Sequence, residues 1–220
     1  YAFAKELYKA PANASVLGMV ASYQVGPIMY DYLKSKKGVK SIAFLARNES
    51  DAKNQQTEGV EAAKKLGLNV VAEAESYEPG TKDFMPVMTK VIKTRPDHIV
   101  LSGVAPADAP LLNKAARDLG YKGTISTETA QDSKILAQVA GAKAAGFMSV
   151  GGASTPEIQS DAMKAFAEAY KKRVGEWNDE AGTKVYALEL ILAVLQKNPA
   201  ALNDVEVFKK EMATFSMTNP

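Results

Sequence analysis

The sequence contains no cysteine and a single histidine, His98, among its 220 residues. Disulfide scaffolds, thiolate nucleophiles and cysteine-ligated zinc are therefore excluded. A serine–histidine relay or a histidine-pair metal site would depend on His98 alone, and we expect neither a catalytic centre nor a metal site. Because His98 begins a predicted strand, at the end opposite the loops considered below, we interpret it as a structural residue.

An excess of charge of one sign is also missing, because 27 Lys and Arg residues balance 25 Asp and Glu residues to a net charge of +2. A dedicated nucleic-acid binder shows a basic excess or stripe, so nucleic acid is not an expected partner. The longest apolar run, Tyr186 to Leu195, is broken by Glu189 and is shorter than the roughly 18 residues that span a bilayer. Residues 1–5 lack a basic region followed by an apolar one, so we expect no signal peptide.

Three motifs of nucleotide-binding and hydrolytic enzymes are absent. No G-x-G-x-x-G follows a strand, no G-x-x-x-x-G-K-[ST] occurs, and G-x-S-x-G is missing. The dinucleotide fingerprint, the phosphate loop and the nucleophile elbow are therefore not present. We expect no cofactor, and an enzyme is the least favoured class of function.

Short β-rich runs alternate with longer amphipathic segments over most of the chain. The predicted strands are Lys40–Leu45, Asn69–Ala74, His98–Ser102, Gly123–Ser126 and Phe147–Val150. The predicted helices around them are Val25–Leu33, Asp51–Leu66, Asp83–Lys93, a helix that ends at Gly120, Gln131–Ala140 and Ser154–Val174. This alternation predicts an α/β fold with a doubly wound parallel sheet.

The alternation stops after Gly182, where two helices follow with no strand, at about Thr183–Leu195 and Asp204–Thr214. The first is apolar almost all round, and such a helix must be covered on most sides. A five-stranded unit covers one side only. We therefore expect a further part of the protein or a partner to cover the rest.

Ligands of open parallel sheets bind beyond the carboxyl ends of the strands. Small and polar residues fill the loops at that edge, and free N–H groups at the following helix N-termini favour anions such as carboxylates. The candidate ligand-binding residues are Asn48, Ser50 and Asp51 after the first strand, Ser102, Gly103 and Val104 after the third, and Ser126, Thr127 and Glu128 at the end of the fourth. The alternative is that these residue types serve only as helix caps and turns.

Glu128 is unusual among these candidates, because a capping residue at this position would normally be shorter. An acid between Thr127 and Thr129 can hold an ammonium group; the alternative is a solvent-exposed rim glutamate. Arg47 also falls in a predicted ligand loop, where it either binds a carboxylate or forms a surface ion pair.

Several segments together resemble a known family. They are Val39–Leu45, Ala63–Gly67, Asn69–Phe84, Val91–Gly103 and Leu112–Gly120, of which the Pro-Gly-x-x-Asp-Phe turn at residues 79–84 and the Arg-x-Leu-Gly helix end at residues 117–120 are the most specific. From about residue 20 to residue 214 the chain resembles the substrate-binding proteins of branched-chain amino acid ABC transporters, the type I periplasmic binding proteins.

The resemblance implies two similar lobes joined by crossing strands, with the ligand in the cleft between them. It implies that residues 20–180 form the second, Rossmann-like lobe, that residues 183–214 are helices returning to the first lobe, and that residues 1–19 are a crossover segment. The front of the first lobe and the last crossing are then not part of this chain.

The resemblance also implies a receptor that binds a small amino-acid-like or carboxylate ligand and delivers it to an ABC permease, in the periplasm or outside the cell on a membrane tether. Glu128 matches the second-lobe acid that binds the ligand ammonium. The family's usual aromatics fall near Asp51 and at residues 102–104, where this chain has none, so a different amino acid, an amide or a small aromatic acid stays open. A ligand-sensing domain of a signalling receptor and an enzyme on a flavodoxin-like fold are the alternatives.

Overall fold

The computed structural model describes residues 22–150, 159–177, 181 and 186–216. Contacts divide the chain into two compact units, residues 20–151 and residues 152–220 together with 1–19. This division falls at residue 151, earlier than the predicted end of the second lobe at residue 180. The assignment of the two lobes stays a prediction.

A five-stranded parallel sheet forms the centre of the first unit. Its strands are β1 (Ser41–Arg47), β2 (Asn69–Tyr77), β3 (His98–Ser102), β4 (Thr124–Thr127) and β5 (Phe147–Met148), and they lie in the order β2-β1-β3-β4-β5. All five predicted strands are present; β2 continues to Tyr77, and β5 ends at Met148. The predicted α/β fold with a doubly wound parallel sheet is confirmed.

The helices of this unit alternate with the strands as predicted. They are α1 (Ser22–Lys37), α2 (Ser50–Lys65), α3 (Met85–Lys93), α4 (Asp108–Asp118) and α5 (Ser133–Ala140), the last followed by a 3-10 turn at Gly141–Ala144. Short acids begin two of them: Asp83 accepts a hydrogen bond from the N–H of Met85 at 2.9 Å, and Asp132 caps α5. These bonds satisfy N–H groups that have no partner inside the helix.

Two separate cores lie on the two faces of the sheet. Helices α1 and α2 cover one face, where the buried core includes Tyr30, Leu33, Ile42, Phe44 and Val100. Helices α3 and α4 cover the other, whose core includes Leu45, Met88, Ile99, Leu101 and Leu112. Burying each such side chain stabilises the fold by about 1.5–3 kcal/mol. Because the chain crosses to different faces after β1 and β3, the topological switch point lies between these neighbouring strands.

Polar residues of β3 and β4 lie on the face of the sheet that α1 and α2 cover. The strands pair with His98 opposite Thr124 and Leu101 opposite Thr127, and alternation places Thr124, Ser126 and the following Glu128 on one face. His98 is fully buried; its Nδ1 lies 2.7 Å from the Thr124 hydroxyl and its Nε2 2.8 Å from the Ser126 hydroxyl. Burial lowers the pKa of His98 to about 3, so the ring is neutral and its role is structural.

The described part of the second unit contains the helices α6 (Asp161–Val174), α7 (Tyr186–Lys197) and α8 (Val205–Thr214), with a 3-10 turn at Pro199–Leu202 between the last two. Ser160 caps α6 through the N–H of Met163, whereas the predicted start at Ser154 lies outside the described residues. Trp177 packs its ring against Tyr170 at 5.7 Å between centroids.

Apolar surface remains on α7. Leu188 is 65% exposed and Leu192 is 47% exposed, whereas Val194 is fully buried. Lys197 at its end pairs with Glu211 of α8 at 3.0 Å. The expectation that a further part of the protein or a partner covers this helix stays a prediction. Within the described ranges, no helix has both the length and the apolar character needed to cross a membrane.

Candidate binding site

Loops from three strands meet at the carboxyl edge of the sheet. The loop after β3 turns at Gly103, which has a φ of +59° and whose added Cβ would lie 2.5 Å from the Cα of Ala52. Glycine is required there because the backbone is left-handed and α2 approaches closely. The loop after β3 therefore packs against the first turn of α2.

Glu128 leaves the end of β4 at this edge and is buried, with 4% of its surface exposed. The hydroxyl of Tyr30 on α1 donates a hydrogen bond to its Oε1. Gln55 of α2 and Ser102 at the end of β3 are its other polar neighbours. The alternative of a solvent-exposed rim glutamate is therefore wrong.

This cluster holds several polar atoms without a hydrogen-bond partner. Among the described residues, Glu128 Oε2, Ser102 Oγ and both amide atoms of Gln55 are buried and make no hydrogen bond. Gln55 and Ser102 lie near enough to favour the charged form of Glu128, but not in hydrogen-bonding geometry. Unpaired buried polar atoms cost about 1–3 kcal/mol each. The cluster therefore has bonding capacity that a ligand could use: Glu128 Oε2 and Gln55 Oε1 as acceptors, Gln55 Nε2 as a donor and Ser102 Oγ as either.

The pKa of Glu128 is raised to about 7, because the effects of burial and of the Glu58 charge outweigh those of Tyr30, Gln55 and Ser102, which lower it. Burial and the neighbouring Glu128 likewise raise the pKa of the Tyr30 hydroxyl, which stays protonated. A cation that contacts Glu128 would favour the carboxylate. The site can therefore accept an N–H-bearing cation.

The other β4 candidates already have partners inside the protein. The Ser126 hydroxyl bonds His98 at 2.8 Å, and the Thr127 hydroxyl donates to the carbonyl of Thr129 at 2.8 Å. Both residues are buried. Their ligand-binding roles stay predictions, and the geometry favours structural ones.

Most of the candidates after β1 and β3 also either have partners within the protein or lie away from Glu128. Val104 packs in the core beneath α3 and α4, and Asn48 donates to Glu78 Oε1 at 2.6 Å. Ser50 and Asp51 are exposed at the first turn of α2, where an acid is favoured by the helix dipole. Only Ser102 of this group adjoins Glu128.

Arg47 forms an ion pair with Glu49, as the ion-pair interpretation predicted. No group of three His, Cys, Asp or Glu side chains suited to a metal ion occurs within the described part of the chain.

Sequence reasoning missed Tyr30 and Gln55. The buried face of α2 comprises Ala52, Gln55, Gln56, Gly59, Val60 and Ala63, so two glutamines interrupt an otherwise small and apolar stripe. Gln56 bonds the carbonyls of Phe44 and Glu75 at 3.3 and 2.8 Å, whereas Gln55 is left unpaired. A polar residue at a core position of the helical pattern was the available signal.

An open parallel sheet with its unpaired polar groups at the carboxyl edge has the form of a solute-binding lobe. The sequence model described as "Periplasmic binding protein" matches residues 9–220, and the chain belongs to this family. It is a family of binding proteins rather than of enzymes. The resemblance to type I periplasmic binding proteins is confirmed.

Solved structures show the same fold. A leucine-binding protein from Thermotoga maritima is 21% identical with a TM-score of 0.75, over 87% of this chain and 54% of that one. An ABC transporter substrate-binding protein from Sphaerobacter thermophilus is 16% identical with a TM-score of 0.78, over 99% and 60%.

A leucine-, isoleucine-, valine-, threonine- and alanine-binding protein from Brucella ovis is 26% identical with a TM-score of 0.65, over 81% of this chain and 46% of that one. The chain therefore spans about half the length of the solved structures that it matches. None of the curated proteins matches this sequence.

Proposed function

We propose that this chain forms one lobe of a solute-binding receptor and that Glu128 binds the ammonium group of a small amino-acid-like ligand. The receptor delivers its ligand to the permease of an ABC importer and works in the periplasm or, tethered to a membrane, outside the cell. Binding by closure of two lobes provides affinity without chemistry, in keeping with a family of binding proteins.

The position and the unused bonding capacity of Glu128 carry this proposal. The acid follows β4 at the edge where open parallel sheets bind ligands, and its Oε2 lacks a partner within the described residues. A buried carboxylate is stable only when it is paired and hydrogen-bonded. A primary ammonium supplies both the charge and three N–H donors, which Ser102 Oγ and Gln55 Oε1 would share.

The similar structures support an amino acid as the ligand. They include a leucine-binding protein and a protein that binds leucine, isoleucine, valine, threonine and alanine. The residues that bind the rest of an amino acid in a two-lobed receptor come largely from the other lobe, so the side-chain preference stays open between branched, amide and aromatic ligands.

Matched ligand pairs test the proposal. Calorimetry on the natural polypeptide that contains this chain would compare L-leucine, L-asparagine and L-phenylalanine with their analogues that lack the amino group. We expect the tightest-binding amino acid to lose about 2 kcal/mol or more, roughly 30-fold, when the amino group is removed. Glu128→Gln should cause the same loss for the amino acid and little change for the analogue.

Glu78→Gln is the matched control, because Glu78 is an exposed acid at the same edge and its substitution should leave affinity unchanged. Unchanged affinity of Glu128→Gln for the amino acid would remove Glu128 from the site. Mass spectrometry of the small molecules that co-purify with the protein would identify the ligand independently.

A further inference from the structure

Tyr30 contacts Glu128 from the helix layer that covers the sheet. It lies on α1, 98 residues from Glu128 in sequence, and is fully buried. Its ring packs edge-on against Phe44 at 5.8 Å between centroids, and its hydroxyl donates to Oε1 of the acid. One carboxylate oxygen is therefore fixed by a side chain of the helix layer, and the other faces the unpaired groups of Ser102 and Gln55.

Two glycines leave room for the contact between Tyr30 and Glu128. A Cβ on Gly59 of α2 would lie 2.7 Å from the Tyr30 hydroxyl and 3.3 Å from Glu128 Oε1. A Cβ on Gly26 of α1 would lie 3.1 Å from the Tyr30 ring and 3.3 Å from the same carboxylate oxygen. Neither glycine has the positive φ that would require glycine for the backbone alone. Glycine at both positions therefore leaves room between the helices for the Tyr30–Glu128 pair.

No cation compensates Glu128 from the elements packed against it, as far as the described neighbours show. The titratable groups that face it are Tyr30 from α1 and Glu58 from α2, while Gln55 and Ser102 contribute neutral polar groups. Glu58 repels a second negative charge, and Tyr30 stabilises it only through a hydrogen bond. The carboxyl group is therefore held near its balance between neutral and charged forms, with a pKa of about 7.

We propose that Tyr30 is a positioning residue of the binding site, holding one oxygen of Glu128 so that the other meets the ligand ammonium, and that binding of the ammonium displaces a proton from Glu128. This inference rests on the proposed function. The neutral carboxyl group loses its proton to solvent, and the carboxylate accepts hydrogen bonds from the ammonium N–H groups. One cation is bound for each proton released, so the charge balances.

Proton release makes the affinity for ammonium ligands depend on pH. Below about pH 7 the affinity should fall, approaching tenfold per pH unit, because the acid must first be deprotonated. About half a proton should be released at pH 7 and nearly a whole one at about pH 6. The analogue without an amino group should show no such dependence.

The first arm of the test uses the free protein and does not depend on any ligand. Carbon-13 NMR of the glutamate carboxyl groups should show Glu128 titrating with a midpoint near 7. Tyr30→Phe keeps the ring against Phe44 and removes only the hydroxyl, so the midpoint should rise, by roughly one unit. Tyr32→Phe is the control, because Tyr32 lies on the same helix and is 42% exposed; its midpoint should equal that of the wild type.

The second arm measures binding of the tightest amino acid by calorimetry in phosphate and Tris buffers over about pH 6 to 9. The two buffers report the released proton through their different heats of ionisation. Tyr30→Phe should weaken binding about tenfold at pH 7 and recover near wild-type affinity at high pH. A merely structural role would weaken binding equally at every pH.

The outcomes separate this inference from the proposed function. A Glu128 midpoint at the ordinary value of a glutamate, an unmoved midpoint in Tyr30→Phe, or binding without proton release overturns the inference while leaving the receptor intact. If Glu128 titrates near 7 but no compound with an ammonium group binds at any pH, the proposed function fails, and the proposed proton release fails with it.

Discussion

The polar groups at the two edges of the sheet differ in whether they have hydrogen-bond partners. At the amino edge, Asp97 accepts hydrogen bonds from the N–H groups of Lys40 at 2.9 Å and Ser41 at 2.8 Å, and these bonds hold its pKa below the usual range. His98 is held between two hydroxyls. At the carboxyl edge, Glu128, Ser102 and Gln55 keep atoms without partners. Paired groups stabilise the fold, whereas unpaired ones cost stability and are retained where a ligand can use them.

The presence of a cleft does not by itself identify a binding edge. A cleft of about 380 Å³ opens at the amino edge between Arg117, Tyr121 and Lys143. Two of its charged groups already have partners: Arg117 donates to the carbonyls of Tyr121 and Gly123 at 2.9 and 2.7 Å, and Lys143 pairs with Asp118. Unpaired buried polar atoms, rather than the size of a cleft, distinguish the carboxyl edge as the proposed binding edge.

Acid should destabilise the folded protein because His98, at the amino edge, is buried in its neutral form. Its pKa is lowered to about 3 in the folded state, so below the unfolded value of about 6.5 the unfolded chain binds the additional proton. Stability is therefore lost as pH falls from about 6.5 towards 3. We expect the free energy of unfolding to drop by about 3 kcal/mol between pH 7 and pH 4 from this group.

Urea unfolding of the wild type and of His98→Gln at both pH values checks this. The amide can still bond the hydroxyls of Thr124 and Ser126 but does not titrate, so the variant should be less stable at neutral pH and less sensitive to acid. Equal acid sensitivity in the two proteins would contradict the assignment. Ligand affinity at neutral pH should stay unchanged, because His98 lies away from the binding edge.

A smaller effect is expected at the carboxyl edge from Gly59→Ala. The new Cβ would lie 2.7 Å from the Tyr30 hydroxyl and 2.8 Å from the Phe44 ring, an overpacking that costs about 1–3 kcal/mol. The better helix propensity of alanine offsets up to about 1 kcal/mol of this. Chemical denaturation should show a net loss of about 1–2 kcal/mol.

A double-mutant cycle sharpens this prediction. Tyr30→Phe removes the hydroxyl oxygen, which is the atom that the new Cβ would approach most closely. The double variant should therefore lose less stability than the sum of the two single losses. Strict additivity would show that the clash with Tyr30 does not exist.

The sequence predicted most of the fold because the deciding signals are local. The β3 limits were predicted residue for residue, and Gly120 and Gly175 mark helix ends with positive φ values of 82° and 98°. Departures occur at the ends, as in β5, which stops at Met148 although the strand was predicted to continue to Val150. Tertiary pairing, which residue pattern does not encode, decides such ends.

The candidate site was predictable only in part. The place of Glu128 after a strand was enough to single it out, and Ser102 beside it follows from the pairing of β3 with β4. The core position of Gln55 in the helical pattern of α2 was a signal that it is buried, but the contact of Tyr30 and Gln55 with Glu128 depends on how α1 and α2 pack on the sheet. Gly26 and Gly59 leave room for Tyr30 and Glu128 between these helices, and helical periodicity does not predict such a close approach.

Amide chemical shifts in the presence of ligand test the contrast between the two edges most directly. The natural polypeptide, labelled with nitrogen-15, would be titrated with the amino acid that binds it most tightly. We predict that the backbone amides of Gly103 and Glu128 and the side-chain amide of Gln55 shift on binding, while those of Asp97 and Thr124 do not. Shifts concentrated at the amino edge, or none at the carboxyl edge at saturation, would contradict the account.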